Sequence, residues 1–194
     1  MPRIIAGTAG GINIETPRGM KTRPTSDRAK EALFSILGDL YLEKNVLDLY
    51  SGTGSLGIES LSRGASACVF VDNGRHAAEV IRKNLDKCKL DKNASVLCMD
   101  VGKALSLPEI VKHRYVCIFM DPPYNKKLLT GTIEKISEND IMEKNGILAV
   151  EHSGGEVPPD EIAGFICSSR RRYGAVNFSF YRLADMLIKS GEEK

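Results

Sequence analysis

No apolar run in this chain approaches the roughly 18 residues that a bilayer-spanning helix needs, so no membrane partner is expected. The opening residues, Met1 to Gly11, lack the long apolar stretch of a secretory signal, which makes a cytoplasmic location the expectation. Cysteine is sparse and unpatterned. Cys68, Cys88, Cys98, Cys117 and Cys167 are odd in number and form no C-x-x-C pair. That argues against a zinc site and a disulfide framework, and leaves reduced thiols packed as small hydrophobes. His76, His113 and His152 are scattered without ligand spacing, so no metal is expected and they read as structural or surface residues. Internal repeats and low-complexity segments are absent as well.

Net charge is also scarce, at +2. Its distribution is more informative. Residues 1–30 hold six basic groups, Arg3, Arg18, Lys21, Arg23, Arg28 and Lys30, against Glu15 and Asp27. A second basic knot is Arg170-Arg171-Arg172. Phosphate contacts need such local clusters rather than a high global charge.

With 194 residues, 42% hydrophobic and 27% charged, the chain suits one globular unit with a modest extension. Residues 1–40 read as an N-terminal hairpin and helix. Arg3–Ala6 and Ile12–Glu15 form short strands separated by glycines. A basic loop follows, then a helix capped by Thr25 or Ser26 and closed by Gly38. Residues 41–190 read as the main domain, and a monomer is expected. Here short apolar runs alternate with helical stretches. The runs are Val46–Tyr50, Ala67–Asp72, Ser95–Asp100, Tyr115–Asp121 and Gly146–Glu151. The helices fall near Gly54–Arg63, Arg75–Lys89, Lys103–Lys112 and Leu128–Glu138. This alternation predicts an α/β fold with a parallel sheet and helices on both faces. Gly164–Arg171 and Asn177–Ala184 then predict a terminal antiparallel pair.

Two loops carry chemistry. The first strand runs through Asp48 into Gly52-x-Gly54-x-x-Gly57 and a helix. Glycines permit a tight turn and close approach of a ligand, and the helix start offers free amides. Asp72 ends the next strand and can accept hydrogen bonds from ribose hydroxyls. Both a dinucleotide and S-adenosylmethionine fit this pattern. Asp48 favours the second, because an acid there meets a methionine ammonium but repels a pyrophosphate. Asp100, at the edge of the third strand, can accept an adenine amino group.

The second loop, Asp121-Pro122-Pro123-Tyr124, follows the fourth strand. Two prolines fix the backbone and remove two amide donors. Asp121 and the Pro122 carbonyl can each accept one N–H of a base amino group. That would direct the nitrogen lone pair at an activated methyl group. Pro123 and Tyr124 offer a surface on which an extruded base stacks. Methyl transfer would then be direct and in line, with alignment supplying much of the catalysis.

Together these motifs resemble the class I methyltransferases with an [Asn/Asp]-Pro-Pro-[Tyr/Phe] signature. Arg3–Gly7, Thr22–Arg28, Lys30–Phe34, Leu47–Gly54, Gly57–Glu59, Asp121–Tyr124 and Arg172–Gly174 occur in the order seen in the bacterial RsmD family, and the likeness spans residues 3 to about 187. Ser51 and Thr53 depart slightly, standing where members often carry Ala and Ser. The resemblance implies a Rossmann-like, seven-stranded sheet whose last strand is antiparallel. It implies methylation of N2 of one guanine in 16S ribosomal RNA, within the small ribosomal subunit or an assembly intermediate. It implies S-adenosylmethionine held by Asp48, Tyr50, Gly52, Gly54, Asp72 and Asp100. Catalysis would fall to Asp121, Pro122 and Tyr124, and base binding to Pro123 and Tyr124. Arg18, Lys21, Arg23, Arg28, Lys126 and Lys127 are the expected RNA contacts. The rival readings are a DNA adenine N6-methyltransferase, methylation of a protein glutamine, an NAD-dependent oxidoreductase, and a non-catalytic RNA-binding module.

Overall fold

In the computed structural model, residues 2–17, 26–123, 126–152, 154–155 and 157–189 are described. The first helix, α1 (Asp27–Leu37), starts where Ser26 Oγ accepts the Ala29 amide at 3.2 Å, and Asp27 sits favourably in its first turn. Ala29, Leu33, Phe34 and Leu37 form its buried face, and Gly38, at φ 55°, ends it. Phe34 meets Tyr41 edge-on at 5.5 Å, and the Arg63 guanidinium lies 4.7 Å above its ring.

From there strands and helices alternate: β1 (Asn45–Leu49), α2 (Ser55–Ser62), β2 (Ala67–Asp72), α3 (Arg75–Cys88), β3 (Ala94–Cys98), α4 (Val101–Ala104), α5 (Pro108–Val111), β4 (Tyr115–Met120), α6 (Lys126–Glu138) and β5 (Met142–His152). The chain closes with β6 (Glu161–Ile162), β7 (Phe165–Tyr173), β8 (Val176–Leu183) and α7 (Ala184–Lys189). One sheet holds the strands in the order β3-β2-β1-β4-β5-β8-β7-β6. Strands β1 to β5 are mutually parallel. β8 runs against them and lies between β5 and β7. The expected seven strands with an antiparallel last one are present, and β6 adds a two-residue eighth at the edge.

Strand order reverses between β1 and β4, so the crevice beyond their carboxyl ends is the expected ligand position. Two cores fill the faces of the sheet. Phe34, Ile58, Phe70, Phe119 and Phe178 share one; Leu47, Ile118, Met120, Ile133 and Leu148 share the other. Gly57 lets α2 lie close to β2, since a Cβ there would stand 2.3 Å from the Phe70 ring.

Some elements differ from the sequence expectation. The helix expected over Lys103–Lys112 is two single turns, α4 and α5. Pro108 takes the first helical position of α5 and holds Leu107 extended at φ −77°, ψ 137°. β3 stops at Cys98, and Asp100 caps α4 by accepting the Lys103 amide at 3.0 Å. The N-terminal hairpin is reduced to one bridge, Arg3 with Asn13, flanked by hydrogen bonds between Ile4 and Ile12 and between Ile4 and Gly11.

That arm is bound to α2 by buried charge. Lys30 and Glu59 are both fully buried, 3.3 Å apart. Lys30 Nζ also donates to the Arg3 carbonyl and, at 3.1 Å, to Ser55 Oγ. Glu59 accepts the Ile5 and Ala6 amides and the Arg63 Nε. Burial pulls the Lys30 ammonium down and Glu59 opposes it. Because both charges are so fully hydrogen-bonded, removing either partner should cost about 3–5 kcal/mol. Lys30, counted above among the basic groups of residues 1–30, is therefore structural, and Arg3 pairs with Asp27 at 2.8 Å. The second basic knot is likewise engaged. Arg170 pairs with Asp160 and donates to the Pro158 carbonyl, and Arg172 donates to Gly174. Cys68, Cys88 and Cys117 are buried free thiols, whereas Cys98 is exposed. Among the described residues no helix is long and apolar enough to cross a membrane.

Candidate active site

A cleft of about 510 Å³ opens beyond the carboxyl ends of the strands. It is built from the bottom by β1. Asp48, between the buried Leu47 and Leu49, turns its side chain toward α2, where its Oδ2 accepts the Gly57 amide at 2.9 Å. Only 4% of Asp48 is exposed. Desolvation, reinforced by Asp72 and Asp121, pushes its carboxyl up to about 8, although the Gly57 amide opposes the shift.

Tyr50 then breaks the strand in the left-handed region, at φ 57°. A non-glycine residue there carries strain of about 1–2 kcal/mol. Its hydroxyl is anchored 2.7 Å from Thr132 Oγ1 on α6. Gly52 and Gly54 continue the turn at φ 54° and 73°, values that suit glycine. The Gly52 amide donates to Asp72 Oδ2 at 2.9 Å, and the Gly74 amide to Asp72 Oδ1 at 2.8 Å. Asp72 thus ties two strand-end loops together and keeps further lone pairs for a ligand.

β4 is buried throughout and delivers Asp121 to the opposite wall. Asp121 reaches solvent on the cleft side. The protein around it still desolvates the carboxyl and pushes it up to about 6. Pro122 is buried, Pro123 is exposed, and both line the cleft.

Asp48, Tyr50, Gly52, Asp72, Asp100, Asp121, Pro122 and Pro123 are therefore brought to one cavity. Gly54 is not part of its lining. A Cβ on Gly54 would meet Ile81 and Ile58, so that glycine faces the core and shapes the turn from behind. Arg28 and Lys127 are exposed, on α1 and α6. Tyr124, Arg18, Lys21 and Arg23 lie outside the described residues, as does the Lys126 side chain.

The sequence reading missed several lining residues. Thr16 and Pro17 reach the cleft from the N-terminal arm. They are held by Asn84, fully buried on α3, which accepts the Glu15 amide at 2.7 Å and donates to the carbonyls of Glu15 and Thr53. No local pattern announces that contact. Glu151 had a signal: it ends the fifth apolar run, as Asp72, Asp100 and Asp121 end the second, third and fourth. His152, expected to be structural or superficial, is buried, lines the cleft and shares a 2.9 Å hydrogen bond with Ser179.

The chemistry of the lining discriminates between ligands. Asp48, Asp72, Asp100, Asp121 and Glu151 face the cavity, and no Lys or Arg does among the described residues. Such a lining attracts a cation and repels a pyrophosphate. Among the described residues no three His, Cys, Asp or Glu side chains are grouped to hold a metal ion.

Residues 2–182 match the family described as conserved hypothetical protein 95. The chain is 32% identical over 180 residues to a Bacillus subtilis protein provisionally named rRNA methyltransferase YlbH, covering 93% of this chain and 98% of that one. It is 33% identical over 150 residues to ribosomal RNA small subunit methyltransferase D of Haemophilus influenzae, covering 77% of each. A solved Escherichia coli structure, described provisionally as the methyltransferase yhhF, superposes with a TM-score of 0.81 at 28% identity, covering 94% of this chain and 98% of that one.

Proposed function

Because the chain belongs to the conserved hypothetical protein 95 family, the RsmD family of its sequence motifs, we propose that it methylates the N2 amino group of a guanine in 16S ribosomal RNA. The small ribosomal subunit or its assembly intermediate would be the substrate. The reading draws on the names of the relatives above and on one physical observation, that the cleft at the switch point of the sheet is lined by Asp48, Asp72, Asp100, Asp121 and Glu151 and, among the described residues, by no Lys or Arg. S-adenosylmethionine suits that lining, since it carries an ammonium and a sulfonium and no phosphate. When bound, it supplies an activated methyl group.

The chain's own residues divide the work. Asp48 and the Gly52 turn receive the amino-acid end, Asp72 the ribose hydroxyls and Asp100 the adenine edge. Tyr50 shapes the same wall. Asp121 and the Pro122 carbonyl accept the two amino protons of the target base, with Pro123 and Tyr124 against its ring. As the attacking nitrogen becomes cationic, the Asp121 carboxylate stabilises it.

Labelled cofactor and under-methylated small subunits, followed by mass-spectrometric mapping of the product, test the reading. Asp121→Ala should lower turnover by about 10²–10³-fold while cofactor affinity stays near wild type. Asp121→Asn keeps an acceptor oxygen and should retain part of the activity. It should also lose the acid-side fall expected of the wild type below about pH 6. Full turnover in Asp121→Ala would refute the assignment.

A further inference from the structure

β4 and β5 are parallel neighbours, with Phe119 opposite Ala149 and Met120 opposite Val150. The pairing ends there with β4; carried one residue past the strand end, the same register would set Asp121 beside Glu151, with the strands about 4.8 Å apart. Alternation fixes their direction. Met120 and Val150 enter the core on one face, and Phe119 and Ala149 that on the other. Asp121 and Glu151 therefore share the Phe119 side, and both line the cleft. Phe178, the partner of Glu151 on β8, is buried and closes the far side.

We infer that Glu151 is the residue that selects the base, by accepting the ring N1–H of guanine next to the amino group held by Asp121. The inference rests on the guanine reading above and deepens it. On the Watson–Crick edge of guanine, the amino N–H and the ring N1–H point the same way, side by side. Two carboxylates on adjacent strand ends match those two donors. Adenine and cytosine set a bare ring lone pair beside their amino group. Against such a base Glu151 would meet a lone pair with no proton between them, and both acceptors would be desolvated without a partner. Asp121 recognises an amino group on any base, so discrimination falls to its neighbour. A carboxylate has acceptor sites for more than one donor, which allows Glu151 to keep protein contacts while it reads the base.

The purine 2-aminopurine carries the same 2-amino group but a lone pair at N1; it also lacks O6, a loss common to every variant, so the change in preference on altering Glu151 reports the N1 contact. Small subunits would be reconstituted with guanine or 2-aminopurine at the position first mapped as the methyl acceptor. The ratio of kcat/KM for the two would be read from labelled methyl incorporation. Wild type should favour guanine by about tenfold or more. In Glu151→Gln the ratio should collapse toward one, because the side-chain amide can donate to a bare N1. Calorimetry should give at most a few-fold loss of cofactor affinity, the share of one among five acidic side chains of the lining. Glu151→Asp, which keeps the charge but withdraws it, should lie between.

A wild-type ratio near one overturns the inference whatever the variants do. An unchanged preference in Glu151→Gln also overturns it, while guanine methylation itself would leave the proposed function standing. Label found on adenine in the wild-type reaction would overturn both.

Discussion

Asp48 is placed to meet a cation, yet its own negative charge is costly where it sits. With its carboxyl pushed up to about 8, it is largely protonated at neutral pH before a ligand enters. A bound ammonium would favour the ionised form, so binding should release a proton. Cofactor affinity should fall by up to about tenfold per pH unit below 8 and level off above it. Calorimetry in buffers of different ionisation heat would detect the proton; affinity independent of pH from 6 to 8 would exclude this role. Folding without ligand carries the opposite sign. Between about pH 4 and 8 the folded chain holds a proton that the unfolded chain has lost, so this group makes stability fall as pH rises. Much of this residue's setting was legible in advance: the apolar run Val46–Tyr50 and the glycines after it give its place at the strand end. Its protonation was not, because it depends first on how completely the fold buries the carboxyl, and then on Asp72 and Asp121 arriving from other strands.

At the scale of elements, Asn84 joins three segments that no pattern in the sequence connects. Its side chain bonds both backbone groups of Glu15 and the carbonyl of Thr53, so α3 holds the N-terminal arm beside the glycine turn. Asn84→Ala would leave buried backbone groups without partners, at a cost of about 1–3 kcal/mol. Tm should drop by at least ~2 °C, and cofactor affinity should weaken because Thr16, Pro17 and Thr53 line the cleft. A variant with unchanged affinity would mean that the arm plays no part in binding. The limits of legibility at this scale are physical. Long elements with a clear period, such as α3 and β2, were predicted within a residue or two. The stretch after β3 was not, since Pro108 splits an apolar pattern that otherwise reads as one helix. Nor was the buried pairing of Lys30 with Glu59, whose partners are 29 residues apart and individually look like surface charge.

For the whole molecule, the strand–helix rhythm was enough to anticipate the parallel sheet, and the break in that rhythm after Glu151 its antiparallel end. The contrast of charge around the cleft was only half visible. An acidic interior suits a cationic cofactor but opposes a polyanion, so RNA must be held by basic groups outside it. Arg28 and Lys127 are exposed; α6, which carries Lys127, lends Leu128 to the cleft, and α1, which carries Arg28, reaches the lining residue Ser55 through Lys30. Replacing both with Ala should weaken binding to small subunits and reduce the slope of log affinity against log salt by roughly one to two. An unchanged slope would remove them from the interface.

The position of β8 between β5 and β7 also has a consequence for vectorial synthesis. The chain makes β6 and β7 before the strand that seats them. A nascent polypeptide therefore holds both without a place beside β5 until Leu183 has left the ribosome. An arrested chain that stops earlier leaves the edge of β5 unpaired, along with the stretch that carries Glu151, and an open edge of that kind invites pairing with another chain.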